Sequence, residues 1–184
     1  MRVNPEESPE RLMSKNTAEP GLAQAFVELR RARIRDGISR DLQPVGASAE
    51  PLAAEKAGYL LREAEELYWN ELAWEQMTDE EAISGGHLTE LVFPGFLALI
   101  DGLLARGGSS SERRSGIRAH PDAVEDILAF LGERAAELTA ELRSGADSQK
   151  VVWARSMTLR LIDLVLYRLY GLTPAERERL DALA

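Results

Sequence analysis

In this 184-residue chain helix-forming side chains far outnumber strand-forming ones, and that imbalance constrains the fold more than any motif does. Leu and Ala together number 52, whereas the β-branched Val and Ile number 15 and Thr adds 6. Leu and Ala lose little side-chain freedom in a helix; β-branched residues lose χ1 freedom there and pack better on a pleated surface. Glu outnumbers Asp 22 to 9, which points the same way, because Asp competes with the helical backbone for hydrogen bonds. The expectation is an all-α, single-domain helical bundle, and 184 residues suffice for one buried core.

Punctuation and periodicity divide the chain. Residues 1–20 carry Pro5, Pro9 and Pro20 among polar residues without any period, which predicts a disordered arm before a bundle domain over 21–184. Leu22, Phe26, Leu29 and Arg33 follow helical spacing from Gly21 to about Leu42, where Gln43-Pro44-Val45-Gly46 breaks the pattern. Ser48 and Pro51 predict the start of a long helix reaching Met77, with Leu52, Tyr59, Leu60, Leu67 and Trp74 facing inward. Thr78 and Glu81 have capping-box spacing and predict a short helical turn before Gly85-Gly86. The stretch from His87 to Arg106 is apolar on most of its circumference, as a buried central helix would be, and Pro94 predicts a break near Val92-Phe93. Residues 107–118 read as a mobile linker by composition.

From Pro121 to Arg143, Val124, Ile127, Leu128, Leu131, Ala135, Leu138 and Leu142 step by three or four, the cleanest amphipathic pattern in the chain. A further helix is expected from Ser148 to Tyr170, ended by Gly171 in the left-handed conformation, and Thr173-Pro174-Ala175-Glu176 predicts a capped restart. About five main helices plus short terminal pieces result.

The net charge of −9 is unevenly shared. Residues 50–77 carry −5 and 121–143 carry −4, whereas 21–42 and 147–170 each carry +2, so acidic and basic helices are expected to pair within the fold. The absence of Cys excludes thiolate metal sites, thiol nucleophiles and disulfides, and two isolated His leave no catalytic triad in view. His87 and His120 each sit at an expected helix start, a capping or surface position. Gly85-Gly86 and Gly107-Gly108 lack the Lys-Ser/Thr and strand context of a phosphate loop. The chain therefore reads as a non-enzyme without metal or cofactor. Residues 1–20 lack the apolar core of a secretory signal, and the longest apolar stretch, Leu91–Ile100, is half a membrane span, so a soluble, cytoplasmic protein is expected.

The most specific string runs from Thr158 to Glu176, TLRLIDLVLYRLYGLTPAE. Its residues describe an apolar helix, a Gly cap and a capped short helix. The string also resembles the last helix of many bacterial adenine-specific DNA methyltransferases and fused restriction–modification enzymes, through Thr158, Arg160, Ile162, Asp163, Tyr167, Leu169, Tyr170, Gly171, Leu172, Thr173 and Glu176. Leu159, Val165, Leu166 and Ala175 depart from that pattern. The likeness spans 19 residues, and the family's Asn/Asp-Pro-Pro-Tyr and Gly-rich cofactor motifs are absent. Methyl transfer is thus not implied. The resemblance implies association with a DNA-modification or phage-defence system.

Three functions follow as expectations. In the first, the chain is a helical accessory subunit that contacts a larger DNA-processing protein, a methyltransferase, nuclease or ATPase, with Tyr167, Tyr170, Arg160 and Arg168 packing in the bundle or at the contact. In the second, Arg30, Arg31, Arg33, Arg35 and Arg40, with Lys150–Arg168, bind nucleic acid directly. In the third, Trp69, Trp74 and Phe96 line a small-ligand pocket in a helical regulator.

Overall fold

Proline and glycine fix where each helix begins and ends. In a computed structural model of the chain, the described residues are 20–46, 50–77, 93–105, 119–145 and 149–183. They form six α-helices: α1 (Pro20–Gly37), α2 (Ala54–Met77), α3 (Pro94–Leu103), α4 (Pro121–Arg143), α5 (Gln149–Leu169) and α6 (Pro174–Ala182). No strand occurs among the described residues, and the all-α bundle expected from composition is the fold observed. The expected arm before Pro20, the turn at Thr78–Glu81, His87 and the linker 107–118 lie outside the described residues.

Helices α3, α4 and α6 each carry Pro at the first helical position, where its missing N–H removes nothing from the ladder. Helix α3 begins at Pro94 with the non-helical Phe93 as N-cap residue, the boundary expected there, and residues 87–92 of the apolar stretch lie outside the described residues. Phe93 has no capping side chain of its own. Glu71 of α2 supplies one instead, accepting from the Gly95 and Phe96 amides at 2.6 and 3.0 Å. A carboxylate there satisfies two orphan donors and faces the positive end of the helix dipole.

Two boundaries differ from the sequence expectation. Helix α1 ends at Gly37 rather than near Leu42, because Leu180 of α6 packs where a Gly37 side chain would stand and Arg40 turns away to pair with Glu176. Helix α2 starts at Ala54 rather than at Pro51, because the Leu52 amide donates to Asp122 Oδ2 at 3.0 Å and holds the preceding residues against the first turn of α4.

Helices α1, α4 and α5 form one layer. Arg31 reaches Glu125 and Ala23 meets Gly132, so α1 runs antiparallel to α4; Arg30 reaches Asp163 and Phe26 lies under Arg155, so α1 runs parallel to α5. Helices α2 and α3 pack together on the other side, against α4 and α5. Tyr68 joins the layers. Its ring stacks on Phe93 and meets Phe130 edge-on, and its hydroxyl lies 2.7 Å from Thr158 Oγ1. Since Thr158 already donates to the Ala154 carbonyl, Tyr68 is the donor in that bond.

The inward face of α4 is the one read from its spacing, with Val124, Ile127, Leu128, Leu131, Ala135 and Leu138 all buried. On α2 the buried residues are Ala64, Tyr68 and Leu72; Tyr59, expected inside, is 61% exposed, because it lies two and a half turns before Tyr68 and so on the opposite side of the helix, while Leu60 and Leu61 beside it pack against the core. Helix α5 is buried on every side from Leu161 to Tyr167. The strap between α1 and α2 crosses its end, where the Val45 amide donates to the Leu169 carbonyl at 2.7 Å.

Helices α1 and α4 approach closely at Gly132. A Cβ on Gly132 would overlap the Ala23 carbonyl oxygen, a backbone atom that cannot swing away. Replacement of Gly132 by Ala is therefore expected to lower the unfolding free energy by about 1–3 kcal/mol. Gly102→Ala, where a Cβ meets nothing within 4 Å, should raise it by up to about 1 kcal/mol. Urea denaturation distinguishes the two, and equal effects would remove the close-approach account.

Candidate interaction site

A single carboxylate sits inside the most buried run of the chain. Asp163 is 4% exposed, between Ile162 and Leu164 on α5. A charge so placed needs partners. Arg30 Nη1 lies 3.0 Å and Arg33 Nη1 3.7 Å from its Oδ2, both from α1, one turn apart. Burial pushes the Asp163 carboxyl above its usual range, against the pull of Arg30, Arg33 and Arg160.

Helix α6 lies over this cluster. Arg160 forks onto Asp181 at 2.8 and 3.3 Å, the Tyr167 hydroxyl donates to Asp181 at 3.1 Å, and Arg33 donates to the Leu180 carbonyl at 3.1 Å. Arg40 forks onto Glu176 at 2.7 and 3.1 Å. Glu176 also closes the capping box expected from sequence, accepting from the Thr173 amide while its own amide donates to Thr173 Oγ1. The Arg40 fork and the Thr173 amide pull the Glu176 carboxyl down to about 2. Burial works upward on Asp181, but Arg160 outweighs it and holds that carboxyl below its usual value. Burial, then Asp163 and Asp181, push the Tyr167 hydroxyl up to about 12.

The residues singled out from sequence are thus brought together, chiefly by contacts within the chain. Tyr167 and Tyr170 are buried in the bundle rather than presented outward, and Arg168 donates to Asp101 on α3 and to the Leu164 carbonyl. Of the arginines considered for nucleic acid, Arg30 and Arg33 hold Asp163, Arg31 holds Glu125 and the Tyr170 hydroxyl, and Arg40 holds Glu176. Arg35 is the most exposed, 3.8 Å from Glu28. Acidic and basic helices do pair, through Arg31 and Glu125 between α1 and α4, yet the main charged cluster joins α1 to α5, both basic in sum.

Trp69 and Phe96 do not share a pocket. Phe96 is fully buried, and Trp69 is 47% exposed, its ring covered by the Arg134 guanidinium at 4.3 Å. The Trp74 side chain lies outside the described residues. A hollow of about 290 Å³ does open between α1 and α4, where Val27 and Leu128 lie among Glu28, Arg31 and Glu125. His120 is the residue before α4, but its side chain forms no capping bond; His87 is outside the described residues. No group of three His, Asp or Glu among the described residues is placed to hold a metal ion. No described helix is long and apolar enough to cross a membrane.

Sequence reasoning missed Asp163 as a hub, Asp181 as its counterpart on α6, and Glu71 as a cap. For Asp163 a signal existed: it is the one charge between Leu161 and Tyr167. No protein family, characterised protein or solved structure matches the chain.

Two outcomes are expected. Asp163→Asn should destabilise the fold by about 1–3 kcal/mol, less than the 3–5 of a fully buried pair because both arginines reach solvent; an unchanged urea midpoint would contradict this. Both Glu176 and Asp181 have lowered values, so the stability they contribute is present above the ordinary carboxylate values of 4.5 and 3.8 and is lost as pH falls below them. Amide protection of α6 should therefore fall between pH 4.5 and 2 before that of α4. Simultaneous loss in both helices would contradict it.

Proposed function

We propose that this chain is a non-enzymatic, cytoplasmic helical subunit that acts by protein–protein contact within a bacterial DNA-modification or phage-defence complex of the restriction type. The contact reading is supported by exposed apolar side chains on a bundle whose α1 arginines are engaged within the chain: Leu29, Val152 and Leu183 on α1, α5 and just past α6, and Tyr59 and Trp69 on α2. Aromatic side chains are enriched at contact surfaces relative to the rest of a protein's exterior. The kind of system rests on the Thr158–Glu176 string alone.

The nucleic-acid reading has less to draw on, since Arg30, Arg31, Arg33 and Arg40 would have to leave carboxylate partners to reach a phosphate. Replacing Arg30, Arg31 and Arg33 with Ala should accordingly lower thermal stability, whatever it does to a DNA shift assay.

Tagged chain recovered from its native host, analysed by mass spectrometry and by absorbance ratio for bound nucleic acid, is expected to bring down a methyltransferase, nuclease or ATPase in defined proportion. Recovery as a free monomer would contradict the proposal.

A further inference from the structure

Helix α6 is attached differently from the rest of the bundle. Of its nine residues only Leu180 is buried, and the bonds that hold it include three through long, partly exposed side chains, Arg40 to Glu176, Arg160 to Asp181 and Arg33 to the Leu180 carbonyl, besides that of the buried Tyr167 hydroxyl to Asp181. The seat of Leu180 exists because position 37 is Gly; a Cβ there would overlap Leu180 Cδ2. The junction with α5 is not helical. Gly171 takes φ +59°, and Pro174 disfavours helical geometry at Thr173 and bars a continuous helix.

Beneath α6, the surface offers the guanidinium groups of Arg33, Arg40 and Arg160 and the Tyr167 hydroxyl around the Gly37 notch, with Asp163 as the carboxylate behind them. With Glu176 and Asp181 withdrawn, these groups carry a net positive charge and have donors to spare. That surface complements a short helix bearing a carboxylate, then a Leu four positions on and next to it a second carboxylate, the spacing of Glu176, Leu180 and Asp181.

We propose that this surface is a receptor groove for an acidic, leucine-bearing helix of a protein partner, and that α6 occupies it as a built-in ligand which the partner displaces. The occupant is defined by charge complementarity and by the single apolar notch. While α6 is docked, the arginines are neutralised and the notch is filled, so a partner helix must outcompete an intramolecular one. The proposal rests on the protein-contact reading, but its test needs no partner protein. Failure of the groove would leave the pull-down result to stand or fall separately.

The test uses the full chain and a fluorescein-labelled peptide of residues 173–183. Two variants loosen α6 without touching the groove: Leu180→Ala, and the pair Glu176→Gln with Asp181→Asn. Circular dichroism and hydrogen exchange follow their folding. In the unmodified chain, α6 amides should exchange at least tenfold faster than those of α4 and α5. The peptide should bind each variant at least tenfold more tightly than it binds the unmodified chain, and the gain should vanish when Arg33 and Arg160 are also replaced by Ala, or when the peptide itself carries Leu180→Ala and Asp181→Asn. The proposal is overturned if α6 is protected as strongly as α4 and α5, or if the peptide ignores two folded variants. Binding that survives loss of both arginines would overturn it too, as would unfolding of both variants, which would make α6 part of the core.

Discussion

The carboxylate of Asp163, held inside α5 by two arginines from α1, is the interaction on which the arrangement of the bundle turns. A helix buried on every side over seven residues can carry a charge only if the neighbouring helix delivers countercharge to that spot. Arg30 and Arg33 do so one turn apart, which fixes the position of α1 along α5 as well as the face it presents. Arg31, the next residue round that helix, then points to α4 and meets Glu125 and the Tyr170 hydroxyl. A slide of α1 by one turn would leave Asp163 with one arginine in place of two and would break the Arg31 contacts. Apolar packing supplies the drive to assemble, but by itself tolerates such slides better than a buried ion pair does.

The second layer is registered by different means. Tyr68 places a hydroxyl against Thr158 in the middle of an apolar interface, and a buried hydrogen bond of that kind has one satisfactory geometry. Glu71, one turn further along α2, caps α3. Helix α3 is short and uncapped by its own sequence, so its first turn depends on α2 being in place. Tyr68 and Glu71 together make α2 the element that orders α3.

What the sequence discloses and what it withholds divide along the same line. Features that depend on neighbours in the chain were legible: the stripe of α4, the break at Phe93-Pro94, the left-handed Gly171 and the capping box of Thr173 and Glu176. Features set by distant residues were not. Arg30 meets Asp163 across 133 positions, Glu71 caps a helix 24 positions away, and α1 stops at Gly37 because Leu180 needs the space. The inward placement of Tyr59 failed because the phase of the α2 face is set by distant residues. Apolar residues occur on more than one side of α2, and the contacts of Tyr68 with Phe93, Phe130 and Thr158 decide which side faces in, leaving Tyr59 on the opposite one.

The same distinction bears on the string from Thr158 to Glu176. Thr158 accepts from Tyr68, Asp163 holds α1, Tyr167 and Arg160 hold Asp181, Tyr170 accepts from Arg31, Leu172 is buried, and Thr173 with Glu176 caps α6. Nearly every position that carries the resemblance to methyltransferase tails is thus committed to a contact within this chain. A likeness at those positions is therefore first a likeness in how a buried helix turns into a short capped one. On the proposed function, a partner surface is then built from the exposed apolar side chains of α1, α2 and α5 and from the groups that α6 covers, where Arg33 and Arg40 from outside the string stand beside its Arg160 and Tyr167.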